Sequence, residues 1–447
     1  MNLINKKIGI WGFGIVGKSV LSYLLQKQVL IEVFDAKPLS SEDQILLQKH
    51  HISFYTQPDL QVFLERNEYI IPSPGIDLRP YSAFQHKWIA ELDLFAADYH
   101  QPIIAITGTI GKTSITHLLG QLLNAAKTKT AVGGNIGIGM LDLLNQESSC
   151  ALLEVSSFQL ELSKTFAPDL AIWTNFFPNH LDRHSNAQEY FDAKYQMIKH
   201  QQANQHALIP LALRDSVTVK KPASILSYFS MQPLCDIQLQ PNERLYYYDE
   251  DTLYLLHDNR QTPLLSKHAI PDISYPENWL IICAALHLRN VSLEVITICV
   301  AQLSLPEHRL ERIATINEVD FYNDSKSTTA QATLAAVHQL KAKPIHLLLG
   351  GLSKGVDRTD LIKQLAGTVY FVYCFGKEAD QLHALCARYT IASVSCATLE
   401  LALDACIQKM RPGDQILFSP AGASFDLFEN YMHRGQYFKQ LVRKIAV

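Results

Sequence analysis

The chain has 447 residues, of which 48% are hydrophobic and 18% are charged, and its formal net charge is −4. That length suits about two to four domains with their own cores, and the composition excludes extended disorder and a polybasic surface for nucleic acid or anionic membranes. The first residues lack the features of a signal peptide, and no apolar run approaches the ~20 residues of a membrane span. Both observations predict a cytoplasmic protein. The 8 cysteines form no CxxC pair, which favours buried thiols over zinc or disulfide frameworks.

The first domain is predicted to cover residues 1–96 and to begin as a parallel α/β unit. A buried strand at Ile8–Trp11 leads through a glycine turn into a helix near Lys18–Gln26, and strands at Leu30–Asp35 and Tyr69–Pro72 follow. In such a unit the ligand loops lie at the carboxyl ends of the strands.

The turn after the first strand carries the glycine fingerprint of dinucleotide-binding folds. Its sequence is Gly12-Phe13-Gly14-Ile15-Val16-Gly17, and Asp35 ends the next strand. Such a turn places a pyrophosphate or a nucleotide near the helix N-terminus, but by itself it does not say which. NAD, FAD and a nucleotide-linked substrate all remain open at this point.

The second domain, predicted for residues 97–303, opens with a stronger phosphate-binding signal. The strand Ile103–Thr107 is followed by the loop Gly108-Thr109-Ile110-Gly111-Lys112-Thr113-Ser114 and a helix over Thr113–Ala126. Backbone N–H groups of such a loop close around an anion, Lys112 reaches terminal phosphates, and the Thr113 hydroxyl contacts magnesium. The motif is a shortened Walker loop, because Ile106 stands where a further glycine is usual.

Further along this domain, three positions offer metal-ligand chemistry. Glu154 lies in a predicted strand at Ala151–Val155 and is placed to hold Mg²⁺ beside the phosphate loop. The polar run Asn179–His184 follows a strand at Leu170–Thr174, and by itself it is more typical of a solvated loop than of a metal site. Lys194 lies in a helical stretch, where most lysines are surface cations, although a neutral lysine in a desolvated pocket can add CO₂ and become a carbamate.

After a tyrosine-rich stretch that we expect to be β-rich, Pro222–Ile270, a third domain is predicted for residues 304–447. Its parallel sheet contains three buried strands: Pro344–Leu349, Tyr370–Phe375 and Gln415–Phe418. Polar or glycine-rich loops follow strands in this domain, at Asn323–Thr328, Gly350–Gly355 and Ser419–Ser424. Because the carboxyl ends of parallel strands meet at one edge, these loops indicate a crevice for a small anionic ligand. Arg309 is placed to bind phosphate or to pair with Glu311.

In this order the motifs resemble those of the Mur ligases, the ATP-dependent amide-forming enzymes of peptidoglycan precursor synthesis. The resemblance spans the whole chain and rests on Gly108–Ser114, Gly133–Gly137, Glu154–Ser157, Asn179–His184, Lys194, His308-Arg309 and Asn323–Lys326. The branch of the family that adds D-glutamate to UDP-N-acetylmuramoyl-L-alanine is similar in three further segments: Leu153–Glu161, Ser73–Ile76 and Ser419–Asp426. The implied fold is α/β with three domains, namely an N-terminal Rossmann-like domain, a central P-loop ATPase-like domain and a C-terminal Rossmann-like domain.

The resemblance implies different ligands for the three domains. The first would hold the UDP-linked substrate, at positions Ile15, Val16, Asp35, Ala36, Lys37, Gly75, Asn135 and Ser156. ATP would bind at Gly108, Thr109, Ile110, Gly111, Lys112, Thr113, Ser114, Asn278, Arg309 and Asp324. D-glutamate would bind at Lys326, Thr328, Lys354, Ser424 and the backbone of Tyr431.

The implied catalytic residues are Lys112, His180 and Lys194. Two Mg²⁺ ions are expected, one at Thr113 and Glu154 and the other at His180 and a CO₂-derived carbamate on Lys194. The expected partners are the two small substrates alone, without nucleic acid or membrane, and the protein is expected to be a monomer.

Several positions depart from the family pattern. Ile110 replaces the usual polar residue of the phosphate loop, and Asn179 replaces the usual Asp before His180. Ser274-Tyr275 stands where a His-Asn pair is usual on the adenine side, and Thr329 replaces an Asn. Asn179 removes one charge near the metals, whereas the principal phosphate and metal positions are unchanged.

Three other interpretations remain open. A folylpolyglutamate-type ligase would carry its nucleotide loop near the N-terminus, whereas here a whole domain precedes it. A nicotinamide-dependent oxidoreductase would use Gly12–Gly17, but the phosphate loop and the third domain would then have no role. A non-catalytic nucleotide-binding regulator would have no use for Lys194.

Overall fold

The computed structural model describes residues 3–177, 179, 183–232, 237–271, 274–353 and 355–445. These residues form two compact units. Unit 1 consists of Met1–Phe177, Gln188–Pro271 and Pro276–Leu303, and unit 2 of Pro178–Ala187, Asp272–Tyr275 and Ser304–Val447.

The first sheet of unit 1 has four parallel strands in the order β3-β2-β1-β4. Helices cover both of its faces, so the inner strands are almost continuously apolar. The elements in chain order are β1 (Lys7–Trp11), α1 (Ile15–Leu24), β2 (Leu30–Phe34), α2 (Ser41–Lys49), β3 (Ser53–Tyr55), α3 (Leu60–Arg66), β4 (Tyr69–Pro72) and α4 (Glu91–Asp98).

The second sheet of unit 1 has nine strands in the order β13-β12-β11-β10-β9-β8-β5-β7-β6. The strands are parallel except β12 and β13, which continue the sheet as antiparallel hairpins. The elements are β5 (Ile103–Thr107), α5 (Lys112–Ala125), β6 (Thr130–Gly134), β7 (Cys150–Glu154), α6 (Ser157–Leu160), β8 (Leu170–Trp173), α7 (Ala187–Lys199), β9 (His206–Pro210), α8 (Arg214–Thr218), β10 (Ile225–Ser230), β11 (Arg244–Asp249), β12 (Thr252–His257), β13 (Arg260–Ser266), α9 (Pro276–Leu288) and α10 (Glu294–Cys299).

Unit 2 contains a six-stranded sheet in the order β14-β15-β19-β16-β17-β18. Its elements are β14 (Glu311–Ile316), β15 (Val319–Asn323), α11 (Ala330–Leu340), β16 (Ile345–Gly350), α12 (Thr359–Leu365), β17 (Phe371–Phe375), α13 (Ala379–Arg388), β18 (Ser393–Cys396), α14 (Leu399–Ile407), β19 (Gln415–Phe418) and α15 (Tyr431–Ile445). The predicted parallel sheet needs one correction, because β14 pairs with β15 in the antiparallel direction. A two-residue turn joins these two strands, and parallel neighbours need a longer crossover.

The α/β architecture predicted from the sequence is confirmed. The strands Tyr69–Pro72, Ile103–Thr107 and Gln415–Phe418 have the predicted bounds. The helix predicted at Lys18–Gln26 begins earlier, at Ile15, directly after the glycine turn. The tyrosine-rich stretch contains β10 to β13, as expected.

Two smaller expectations concern thiols and membrane spans. Free cysteines are found at Cys150, Cys283, Cys299, Cys374, Cys386, Cys396 and Cys406, and all of these except Cys396 are buried. Cys235 lies outside the described residues. Within the described ranges, no helix combines the length and the apolar character that a membrane span requires.

Candidate functional site

The phosphate loop connects β5 to α5 at the carboxyl edge of the second sheet. Gly108 has φ +146° and Gly111 has φ +85°, and L side chains rarely adopt these angles. A Cβ on Gly108 would lie 1.9 Å from Thr174 Oγ1, and one on Gly111 would lie 2.8 Å from Asn278 Oδ1. The glycines are therefore needed for both backbone angle and space, and the predicted ATP residue Asn278 lies against the loop.

Two residues after β8 hold the loop in place. The Thr109 and Ile110 N–H groups both donate to Asn175 Oδ1, at 3.1 and 2.9 Å. The Thr174 hydroxyl donates to Ile110 O at 2.7 Å. The backbone N–H groups of Thr109 and Ile110 therefore already donate within the protein. The N–H groups left for phosphate are the first ones of α5, which have no intrahelical acceptor.

Two lysines meet at the head of this loop. Lys112 Nζ donates to Gly108 O at 2.8 Å, and Lys194 Nζ donates to the same oxygen at 2.9 Å. Lys194 reaches this point from α7, with its ammonium 4.5 Å from the centroid of the Tyr190 ring. The two amines therefore meet at one carbonyl oxygen of the loop, close to where terminal phosphates would bind.

Lys194 is a buried residue. The expectation from its helical context, that it is a surface cation, is wrong. Its side chain is only 1% exposed. Burial, followed by the charge of Lys112, lowers the pKa of Lys194 well below its usual value, whereas Glu154 opposes the shift. This environment favours the neutral amine, which is the form that can add CO₂.

Glu154 ends β7 beside the two lysines. It is 2% exposed, and its Oε1 accepts a hydrogen bond from Asn135 Nδ2 at 3.2 Å. Among the residues that the structure describes, its Oε2 has no hydrogen-bond partner. A buried carboxylate oxygen without a donor fits a hard cation, so Glu154 suits Mg²⁺. Asn135, predicted near the pyrophosphate of the substrate, contacts this carboxylate directly.

The structure describes the remaining residues of the two predicted metal sites only in part. Thr113 is buried in the first turn of α5, and Lys194 is placed as described above. His180 lies outside the described residues, and so does the predicted D-glutamate residue Lys354. Their roles stay predictions.

The first glycine turn has the opposite charge. Asp35 Oδ2 accepts the N–H of Phe13 at 2.7 Å, and its Oδ1 accepts the N–H of Lys37 at 2.8 Å. Ile15, the first residue of α1, is 69% exposed. This turn offers a carboxylate and an apolar side chain, which suit the hydroxyl and ring groups of a nucleoside better than phosphate oxygens.

Other predicted substrate positions in unit 1 have local structural roles or open surroundings. Ser156 is the N-cap of α6, where its hydroxyl accepts the Gln159 N–H and Gln159 Oε1 accepts the Ser156 N–H. Gly75, Ala36 and Lys37 are exposed, and Val16 is half-buried. A Cβ on Gly75 would meet nothing within 4 Å.

In unit 2, the loops after β15, β16 and β19 lie side by side, because these strands are neighbours in the sheet. Leu352 and Ala423 exchange two backbone hydrogen bonds of 2.9 Å, and Ala421 N donates to Ser327 O at 3.0 Å. The three loops predicted to form one crevice are therefore joined to each other.

The predicted ATP residues of unit 2 are a buried Asp324 and a half-buried Arg309 close enough to affect its charge. Asp324 is 0% exposed, and it accepts hydrogen bonds from Leu310 N and Ser419 Oγ. Burial raises the pKa of Asp324, while the nearby Arg309 guanidinium acts in the opposite direction. Tyr275, one of the departures from the family pattern, lies near Asp324 and Arg309. Burial raises the pKa of Tyr275, and the charges of these two residues also affect it.

Several predicted D-glutamate residues lie on loops that a buried arginine joins. Lys326 Nζ is 5.2 Å from the centroid of the Tyr431 ring, and the Ser325 hydroxyl donates to Tyr431 O at 2.8 Å. Ser424 is buried, and Thr328 is half-buried. Arg434, 0% exposed, donates to Ser325 O and Gly422 O and so links two of the loops.

Sequence reasoning missed Asn175 and Arg434. Asn175 follows a strand as an ordinary polar residue, and its effect depends on a neighbouring strand that brings it to the phosphate loop. Arg434 lies in a helix far along the chain, and only the folded sheet brings it to the loops. Nothing in the local sequence distinguishes either from a surface residue.

These features define a class of protein: a phosphate-loop enzyme in which a loop lysine, a second lysine from α7 and a carboxylate from β7 lie at the loop, with a separate nucleoside-type turn and a third α/β domain. Three family profiles match the chain, described as Mur ligase MurD-like N-terminal domain over residues 6–91, Mur ligase middle domain over 106–233, and Mur ligase glutamate ligase domain over 308–422.

Similar proteins cover the whole chain. A UDP-N-acetylmuramoylalanine--D-glutamate ligase from Aliivibrio fischeri is 32% identical over 453 residues, which cover 99% of this chain and 98% of that protein. A protein of the same name from Koribacter versatilis is 33% identical and covers 100% and 99%. The chain belongs to the Mur ligase family.

Solved structures agree in fold. A UDP-N-acetylmuramate-alanine ligase from Thermotoga maritima superposes with a TM-score of 0.59 at 14% identity and covers 98% of this chain and 100% of that one. A MurF ligase from the same organism, solved in complex with ADP, has a TM-score of 0.56 and covers 99% and 96%.

Proposed function

We propose that the chain is the ATP-dependent ligase that joins D-glutamate to UDP-N-acetylmuramoyl-L-alanine, with release of ADP and phosphate, in peptidoglycan precursor synthesis. The observation that carries this proposal is the contact of Lys112 and Lys194 with the Gly108 carbonyl, with the buried Glu154 carboxylate close enough to affect Lys194, in a chain whose full-length relatives carry that ligase name. A binding protein has no need for a buried amine and a buried carboxylate at the head of a phosphate loop.

In the first step, the L-alanyl carboxylate of the substrate attacks the γ-phosphorus of ATP, and ADP leaves. Lys112 neutralises charge on the transferring phosphoryl group, and the N–H groups at the start of α5 orient it. Glu154 and Thr113 would hold a Mg²⁺ ion, which supplies charge neutralisation at the phosphates when bound. The protein's contribution is mainly positioning and electrostatics.

In the second step, the amine of D-glutamate attacks the carbonyl carbon of the acyl phosphate. Phosphate leaves and an amide bond remains. The amine must first lose a proton, and His180 is our candidate base. Lys326, Thr328, Lys354, Ser424 and the backbone of Tyr431 would hold the amino acid.

The nucleotide part of the substrate would bind at the first glycine turn. Ile15 and Val16 would pack on the base, and Asp35 would accept a hydrogen bond from the uracil nucleotide. Ala36 and Lys37 border the same turn, and Gly75, Asn135 and Ser156 would lie along the rest of the UDP-linked substrate. This division gives each glycine turn one nucleotide.

We further infer that Lys194 is carbamylated in the active enzyme. Its burial favours a neutral amine, and the carbamate would replace the repulsion from Lys112 by attraction. The carbamate oxygens and His180 would then hold a second Mg²⁺. The protein would act in the cytoplasm, where ATP and UDP-linked precursors occur, as a monomer.

The proposed activity is tested by phosphate release from ATP and Mg²⁺ with UDP-N-acetylmuramoyl-L-alanine and one amino acid at a time. We expect release with D-glutamate only, and none with L-glutamate, L-lysine or meso-diaminopimelate. Release with another amino acid would keep the ligase chemistry but overturn the substrate assignment. If the folded protein binds ATP but releases no phosphate in any of these assays, the result would favour the interpretation as a non-catalytic nucleotide-binding regulator.

The carbamate is tested with Lys194→Ala, for which we expect an inactive enzyme that regains activity in added short-chain carboxylate. Lys199→Ala, an exposed lysine on the same helix, is the matched control and should stay active. Full activity of Lys194→Ala without added carboxylate would refute the carbamate.

A further inference from the structure

Arg358 is a buried cation of unit 2 that has no role among the substrate and catalytic residues discussed above. It is the N-cap residue of α12, and it is only 5% exposed. An arginine usually keeps its guanidinium in water, and its transfer into the protein costs free energy unless the charge is paired. The contacts of Arg358 therefore indicate what its burial contributes.

The guanidinium of Arg358 binds the backbone at the end of β16. Its Nη2 donates to Gly351 O at 2.8 Å, and its Nη1 donates more weakly to Gly350 O at 3.4 Å. Gly351 has φ +71°, an angle that L side chains rarely adopt, so the chain turns sharply here. The guanidinium thus holds the turn at which the loop Gly350–Gly355 begins.

Glu378, the N-cap residue of α13, extends this contact along the same loop. Its Oε2 lies 3.7 Å from Arg358 Nη2. Its Oε1 accepts hydrogen bonds from the Ser353 N–H at 3.0 Å and from the Ser353 hydroxyl at 3.2 Å. One ion pair therefore holds both the start of the loop and the residue directly before Lys354. We call Arg358 and Glu378 the loop clamp.

The loop clamp also contacts the neighbouring loop after β19. A Cβ on Gly422 would lie 2.3 Å from Arg358 Nη2, so this glycine packs directly on the guanidinium. Gly422 precedes the predicted D-glutamate residue Ser424 by two positions. Arg358 thus touches both of the loops that carry Lys354 and Ser424.

Stability alone does not account for a charge at this place. A buried ion pair adds little net free energy, because desolvation offsets the attraction, and apolar side chains of similar volume often replace such pairs without loss. Burial lowers the pKa of Arg358 against the opposing effect of Glu378, and its Nε has no hydrogen-bond partner among the residues that the structure describes. What an apolar side chain would not supply is a pair of donors that fix the carbonyls of the loop.

We propose that Arg358 is a positioning residue for the amino-acid substrate, an inference that rests on the proposed function. Through the loop clamp it fixes the backbone that leads into Lys354, a predicted D-glutamate residue, and it acts without contact to the substrate. A loop that is already ordered loses less conformational entropy when its ligand binds. The clamp therefore contributes to the affinity for the amino acid rather than to the chemical step.

Steady-state kinetics of the full-length enzyme with Arg358→Met test the proposal. Methionine keeps an unbranched, mainly apolar side chain but has no N–H donors. We expect the KM for D-glutamate to rise about tenfold or more, while kcat and the KM values for ATP and UDP-N-acetylmuramoyl-L-alanine change less than about threefold. Arg358→Lys keeps the charge and one donor group, so its KM for D-glutamate should lie between those of wild type and Arg358→Met. Arg388→Met removes an exposed arginine of the same unit and, as the matched control, should leave all four constants unchanged.

Hydrogen–deuterium exchange of the free protein gives a second measurement, which does not depend on activity. The backbone amides of residues 350–356 should exchange about fivefold faster or more in Arg358→Met, and at the wild-type rate in Arg388→Met. The buried strand β16 should keep its wild-type exchange rate in both variants. Faster exchange of β16 together with the loop would show a general loss of structure and would contradict a local clamp.

An unchanged KM for D-glutamate in Arg358→Met would overturn the proposal. Equal rises in the KM values for all three substrates would also overturn it, since a clamp on this loop acts on one substrate. Unchanged exchange of residues 350–356 would show that Arg358 does not hold the loop. Absence of D-glutamate-dependent phosphate release by the wild-type enzyme would refute the proposed function instead, and the exchange measurement would still decide whether the clamp exists.

Discussion

The two glycine turns of unit 1 have the same local architecture and opposite electrostatics. In each, a buried strand ends in a glycine-rich turn that starts a helix, β1 to α1 and β5 to α5. The first turn is closed by a carboxylate, Asp35, which accepts a loop N–H. The second is closed by the Asn175 amide and faces the amines of Lys112 and Lys194.

The difference shows that neighbouring elements determine what a glycine turn binds. Asp35 follows β2, Asn175 follows β8 and Lys194 belongs to α7, so none of them is part of its turn's own glycine motif. The local motif provides a helix N-terminus and room for a ligand. The side chains that enter from other elements add a carboxylate at one turn, and an amide and a buried amine at the other.

The substitution with the largest expected effect tests whether the two turns have different functions. Lys112→Ala should lower D-glutamate-dependent phosphate release by about 10³-fold or more, because a cation at the transferring phosphoryl group is lost. Binding of the UDP-linked substrate, measured by calorimetry, should change less than about twofold, since the first turn is untouched. Near-normal turnover would contradict the assignment of the phosphate loop.

A matched pair of glycine substitutions tests whether the two turns differ in the space around their glycines. Gly108→Ala should abolish ATP binding, because its Cβ would overlap Thr174 Oγ1 at an angle that L residues avoid. Gly14→Ala in the first turn should keep both activity and stability, since its Cβ would meet nothing within 4 Å. Equal losses in ATP affinity for the two variants would refute the distinction.

Asp35→Asn should affect only the first turn. The amide oxygen can still accept the Phe13 N–H, but the charge-assisted hydrogen bond to the substrate is lost, so KM for UDP-N-acetylmuramoyl-L-alanine should rise about tenfold. KM for ATP and kcat should stay nearly constant in steady-state assays. A parallel rise in the KM for ATP would show that Asp35 does not belong to a separate nucleotide site.

The smallest expected effect concerns Glu91, which lies at the start of α4 between the two halves of unit 1. It is buried, and burial raises the pKa of its carboxyl to about 7, although Met140, Leu141 and Gln159 oppose the shift. The folded state therefore holds this proton more tightly than the unfolded state. The resulting stability is fully present below about pH 4.5 and is lost as the pH rises to about 7.

Glu91→Gln mimics the neutral acid and should remove this dependence. We expect unfolding free energies close to wild type near pH 5 and a gain of up to about 3 kcal/mol at pH 8, measured by urea titration. The same difference at both pH values would show that the Glu91 carboxyl does not titrate between them.

Much of the fold followed from the sequence because its signals are local. Buried strands such as Ile103–Thr107 stand out as apolar runs that end in glycine, and the loop after this strand has a specific spacing. The strands β3, β6 and β9 went unrecognised, since β3 has three residues, β6 ends in two glycines, and β9 ends in Pro210 and continues directly into the apolar Leu211-Ala212-Leu213.

The candidate site was less accessible to sequence reasoning, because its chemistry depends on contacts between distant segments. The environment of Lys194 results from the approach of α7 to the phosphate loop, and no periodicity in that helix signals it. Its position was inferred only through the family resemblance.

The central claim is that the phosphate loop activates a carboxylate by phosphorylating it. The most direct measurement uses UDP-N-acetylmuramoyl-L-alanine with ¹⁸O in both oxygens of its alanyl carboxylate, in a reaction with ATP and D-glutamate. We predict that the phosphate released carries one ¹⁸O and that the new amide retains the other. Release of unlabelled phosphate during amide formation would contradict an acyl phosphate and with it this account of the site.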